Sequence, residues 1–79
     1  MLSDGTRVDC LTEEYAIEFD FADKWAEAIG QSLHYALMTG KKPGIVIIIE
    51  KESDKKHLKK VKGIALKKDI KIWQVKKDS

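Results

Sequence analysis

The chain has 79 residues, 43% hydrophobic and 35% charged, and is expected to form one domain (1–79) near the lower limit for a self-sufficient core. Its single cysteine allows no intrachain disulfide and no zinc-finger reading, and its longest apolar run, residues 45–49, is too short to cross a bilayer. The opening residues Met1-Leu2-Ser3-Asp4-Gly5 carry neither the basic nor the apolar part of a secretory leader, so a cytoplasmic protein without membrane association is expected.

A net charge of +2 conceals an uneven distribution. Residues 1–50 hold four Lys/Arg against nine Asp/Glu, whereas residues 51–79 hold eleven lysines against four acids. An acidic half suits a cation site and a basic half suits a polyanion, although a lysine-rich surface can equally be a solvated helix face.

Thr6-Arg7-Val8-Asp9-Cys10-Leu11 alternates and predicts a first strand. Tyr15-Ala16-Ile17-Glu18-Phe19-Asp20-Phe21 alternates more clearly, with Tyr15, Ile17, Phe19 and Phe21 on one face and Ala16, Glu18 and Asp20 on the other. The short polar link Thr12-Glu13-Glu14 predicts a hairpin, and a turn centred between Glu13 and Glu14 sets Asp9 opposite Glu18 and Arg7 opposite Asp20. Facing side chains have Cβ atoms ~4.5–5.5 Å apart. Two bare carboxylates at that separation repel, and a divalent cation relieves them. The bland reading leaves Asp9 and Glu18 as solvent-side strand residues and Asp20 as the partner of Arg7.

A helix is expected over 23–39, closed by Gly40, with Trp25, Ala26, Ile29, Leu33, Ala36 and Leu37 as its apolar arc. Lys24, Glu27, Gln31 and Tyr35 follow one another along the opposite stripe, which can lean over the acidic strand. After Lys41-Lys42-Pro43, the unbroken run at 44–49 predicts a central strand covered on both faces. A second helix is expected over 54–67, with Leu58, Val61, Ile64 and Ala65 inward and its lysines outward. Asp54 or Ser53 would cap it. Residues 70–75 alternate as a last, half-exposed strand, and the predicted order is β-β-α-β-α-β.

An Asp on one strand, an acid-x-Lys position on its hairpin partner, a crossing helix and a buried strand resemble the PD-(D/E)xK nucleases. The Gln31-x-x-x-Tyr35 spacing on the helix looks like a motif of the family's recombination-linked exonuclease branch. The resemblance covers roughly residues 5–49 and implies an α/β (α+β) restriction-endonuclease-like fold and a metal-dependent nuclease. It implies Mg²⁺ (or Mn²⁺) held by Asp9, Glu18 and the Phe19 backbone carbonyl, with DNA or another structured nucleic acid as partner. Gln31 and Tyr35 would position the substrate.

The chain departs from the family pattern at Asp20, which stands where the family has lysine. Two readings follow. Lys24 on the first helical turn supplies the missing ammonium and Asp20 adds a further metal-binding carboxylate, or the site has lost catalysis and the domain only binds or assembles. A second departure is that only a few residues precede the first strand, where the family has a helix against the sheet. One apolar sheet face then lacks a cover, and a homodimer is expected to supply it.

Overall fold

The computed structural model describes residues 9–77. They form strands β1 (Cys10–Leu11), β2 (Tyr15–Phe21), β3 (Lys42–Ile49) and β4 (Lys71–Lys76), with helices α1 (Trp25–Thr39) and α2 (Lys55–Lys68). Short 3-10 turns, Ala22–Lys24 and Glu52–Asp54, lead into the two helices. The result is a small α+β domain with the expected order of elements. Of the first predicted strand, residues 9–11 fall within the described residues: Cys10–Leu11 pair as a strand and Asp9 lies in a bend before it, while the expected Arg7–Asp20 pairing lies outside them.

The sheet runs β1-β2-β3-β4, with β1 antiparallel to β2 and the remaining neighbours parallel. Thr12 closes the hairpin: its N–H donates to the Tyr15 carbonyl at 2.8 Å, and its hydroxyl accepts the Tyr15 N–H at 2.8 Å. The observed pairs Cys10↔Ile17 and Leu11↔Ala16 follow the expected register. Helix α1 ends as expected at Gly40, whose left-handed φ of 71° lets its N–H reach the Ala36 carbonyl at 2.9 Å.

Both crossovers, β2-α1-β3 and β3-α2-β4, step in the same direction across the sheet. Right-handed connections therefore put both helices on one face, where they touch each other. Ile45, Ile47 and Ile49 of β3 point into that layer and meet Val61, Ala65 and Ala28, with Trp25, Ile29, Leu33, Leu58 and Ile72 around them. The expectation that β3 is covered on both faces is therefore corrected. Val46 and Ile48 point to the opposite face and are only half-buried.

On that uncovered face the register lines up Phe19, Val46 and Trp73 in one row and Phe21, Ile48 and Val75 in the next. Phe19 is 45% exposed and Val75 48% exposed. Trp73 folds its ring over Gly44 and meets Tyr15 edge-on, with ring centroids 5.4 Å apart.

The contact face of α1 also differs from the apolar arc. Ala28, Ser32 and Tyr35 are buried, while Ala26 is exposed and Leu37 is 81% exposed. The buried line is rotated by about 110° from the arc's centre, at 100° per residue. Small residues explain the rotation: Ala28 and Ser32 let the helix axis approach the sheet above Ala16, which is fully buried. In α2, Val61 and Ala65 are buried as expected, but Ile64 is left 37% exposed.

Candidate active site

The helices cover the β2 face that carries Ala16, Glu18 and Asp20, not the face that carries the aromatics. Glu18 thus ends up beneath α1 with 7% of its surface exposed. Across the hairpin, the Tyr15 carbonyl is a ladder acceptor, so the odd-numbered residues of β2 bond toward β1. Glu18 then belongs to a non-hydrogen-bonded pair, the kind in which facing side chains come closest.

Asp9 lies in a bend just before β1, and the register continued by one position would set it opposite Glu18. Asp9 is exposed and accepts the Phe19 N–H on Oδ2 at 2.9 Å, replacing a strand partner with a side chain. Within a strand, a residue's N–H and C=O point the same way, so the Phe19 carbonyl also faces the Asp9 edge.

The electrostatics follow from this geometry. Burial, then the charge of Asp9 and a hydrogen bond to it, then the charge of Asp20, push the Glu18 carboxyl up to about 7. The Glu18 carboxyl therefore keeps its proton well above the usual carboxylate range. Among the described residues Glu18 Oε2 has no hydrogen-bond partner and is shielded from solvent. An orphaned, buried carboxylate oxygen costs free energy unless a cation or a proton meets it.

Asp20, half-buried two residues further on, accepts the Phe21 N–H at 3.0 Å on Oδ1. Its carboxyl is also raised: burial dominates and the charges of Glu27 and Asp9 add, while the Phe21 bond and the Lys24 ammonium oppose. Lys24, the last residue of the first 3-10 turn, is exposed and lies within electrostatic reach of Asp20.

Helix α1 divides the other two candidates. Gln31 is exposed on the rim, whereas Tyr35 is buried, with the His34 ring edge-on at 5.7 Å. Glu27 is a further contributor, its charge helping to raise the Asp20 carboxyl. Its place on the stripe between Lys24 and Gln31 was the available signal. Ser32, fully buried and donating to the Ile29 carbonyl at 2.9 Å, gave no signal, because serine on a helix reads as surface.

Among the described residues no three Asp, Glu, His or Cys side chains converge on a common metal position. The donors that do meet, the Asp9 and Glu18 carboxyls beside the Phe19 carbonyl, are all hard oxygens. Mg²⁺ commonly accepts one or two carboxylates and fills its shell with water and substrate phosphate, so this donor set fits it. No protein-family model matches the chain, and no curated protein or solved structure matches it.

Proposed function

We propose that the chain is a Mg²⁺- or Mn²⁺-dependent nuclease with a restriction-endonuclease-like core, hydrolysing phosphodiester bonds of DNA or structured nucleic acid. The observation that carries this reading is the buried Glu18 carboxyl, pressed against Asp9 with an orphaned oxygen. A carboxyl kept only for stability would not be packed against another carboxyl without a cationic partner.

Asp9, Glu18 and the Phe19 carbonyl would hold the ion, with Asp20 as an additional carboxylate. The ion supplies charge neutralisation at the scissile phosphate and a more acidic water. The chain's own residues do the rest. Glu18 releases its proton near neutral pH and becomes a ligand, and the Lys24 ammonium offsets charge developing on the phosphoryl oxygens. Gln31 on the rim positions the strand, and the buried Tyr35 is not available to contact it directly. Water attacks phosphorus, and the bond to the leaving alkoxide breaks as that oxygen takes up a proton.

One observation favours the second reading, a binding or assembly module without catalysis. Asp20 stands where the resemblance calls for a cation, and its raised carboxyl adds negative charge beside the phosphate path. Cleavage of single- and double-stranded DNA and RNA with Mg²⁺ or Mn²⁺ separates the two. Activity abolished by Asp9→Ala and by Glu18→Ala is expected; a pure protein inert on every substrate, yet binding nucleic acid in a salt-sensitive way without Glu18, leaves only the module. The proposal also assigns the uncovered sheet face to a second copy of the chain.

A further inference from the structure

A cavity of about 470 Å³ opens at the carboxyl ends of β3 and β4, apart from the acidic pair. Ile49, the last residue of β3, and Leu58 on the first turns of α2 give it an apolar floor. Lys51, Lys55 and Lys76 stand at its rim beside Gln74. Two acids also line or border it, but both are already matched. Glu52 pairs with Lys55 at 2.8 Å, and Glu50 pairs with Lys77 at 3.6 Å. Lys51 and Lys76 add further positive charge, and the exposed Lys56, Lys59 and Lys60 continue it along α2.

Its position relative to the acids is set by register. Asp20, Ile47 and Gln74 are neighbours on three adjacent parallel strands and share the helix-covered face. Gln74 therefore lies two strand spacings, roughly 10 Å, from Asp20 along the same row. The volume lies within the range of small-ligand pockets, roughly 300–1,000 Å³. An apolar floor with a cationic rim and one amide matches a nucleotide better than it matches a bare anion. The amide both donates and accepts, as a base edge requires.

We infer that this cavity takes one unpaired nucleotide of the substrate strand, with its base on Ile49 and Leu58, its phosphate on Lys51 and Lys76, and Gln74 at the base edge. The inference rests on the nuclease reading only for what lies beside it; it adds that the substrate is single-stranded next to the cut. A duplex does not fit, because its bases are stacked and their apolar faces are hidden.

The test uses the full ¹⁵N-labelled chain in EDTA, so the acidic site plays no part. It is titrated separately with a deoxynucleoside 5′-monophosphate, with the nucleoside and with inorganic phosphate. Saturable shifts of the Lys51, Lys55, Gln74 and Lys76 amides are expected with the nucleotide, at least about 10-fold tighter than with phosphate. The double variant Lys51→Ala/Lys76→Ala, at exposed positions, is expected to weaken this binding about 10-fold while leaving the fold intact. Equal response to phosphate alone, or no response at these amides, overturns the inference. Cleavage with Mg²⁺ is scored separately. Nucleotide binding without cleavage removes the nuclease reading and leaves the pocket; cleavage without nucleotide binding does the reverse.

Discussion

Replacing Glu18 by glutamine isolates the central feature of the site. The Glu18 carboxyl is raised from 4.5 to about 7. A displacement of that size corresponds to roughly 3 kcal/mol between the protonated and ionised forms. The folded chain holds the proton more tightly than the unfolded chain, so the advantage is fully present below about pH 4.5 and is lost as the pH rises through about 7. Glu18→Gln keeps the shape and removes the titration. Urea unfolding in EDTA at pH 4.5 to 8.5, followed by the fluorescence of Trp25 and Trp73, gives the comparison. At pH 4.5 the two proteins are expected to be nearly equal, and at pH 8 the variant is expected to be more stable by roughly 2–3 kcal/mol. Magnesium added at pH 8 is expected to stabilise only the wild type, by about 1.4 kcal/mol at tenfold excess over its Kd. A difference between the proteins that does not change with pH refutes the raised Glu18 carboxyl; equal stabilisation of both by Mg²⁺ refutes the ligand role.

Three other outcomes follow from the geometry. Lys24→Ala is expected to slow cleavage about 10²-fold at an unchanged urea midpoint, since the side chain is exposed; a rate within twofold of wild type removes Lys24 from the chemistry. A methyl group at Gly44 would meet Trp73 Cζ3 at 2.8 Å. Gly44→Ala should therefore cost about 1 kcal/mol, the low end for overpacking because the ring can swing aside, with loss of near-ultraviolet dichroism. An unaltered aromatic signal contradicts the Trp73–Gly44 contact. The open sheet face measures about 19 by 20 Å, near 400 Å² and roughly half of what each partner buries in a stable complex. Sedimentation equilibrium should thus detect a weak dimer at high micromolar concentration that Val75→Lys abolishes, and a monomer at millimolar concentration rejects a self-paired face.

Much of the local structure was legible because short-range physics sets it. The period-two alternation of residues 15–21 and the polar link at 12–14 set the register of the pairs Cys10↔Ile17 and Leu11↔Ala16, so the side of the hairpin that Asp9 approaches could be read from the chain alone. Gly40 marked the end of α1, and the lysine-rich half marked the exposed surface of α2. Candidate acids could be named for the same reason: within a hairpin, sequence distance translates directly into spatial distance.

Only the tertiary structure decided which face of β2 became the interior. Alternation offers two faces, and the greater hydrophobicity of Phe19 and Phe21 argues for theirs. The handedness of two successive crossovers overrides that preference and sends both helices to the face with Glu18 and Asp20. That choice buries Glu18, raises its carboxyl, turns Tyr35 inward and leaves Leu37 in solvent. It also aligns Gln74 with Asp20, two positions 54 residues apart in the chain that meet in one row only because parallel pairing joins strands across two helices. The sequence by itself set the hairpin that brings Asp9 toward Glu18; the packing of α1 determined that Glu18 is buried and its carboxyl raised, because burial is a property of the layer laid over it.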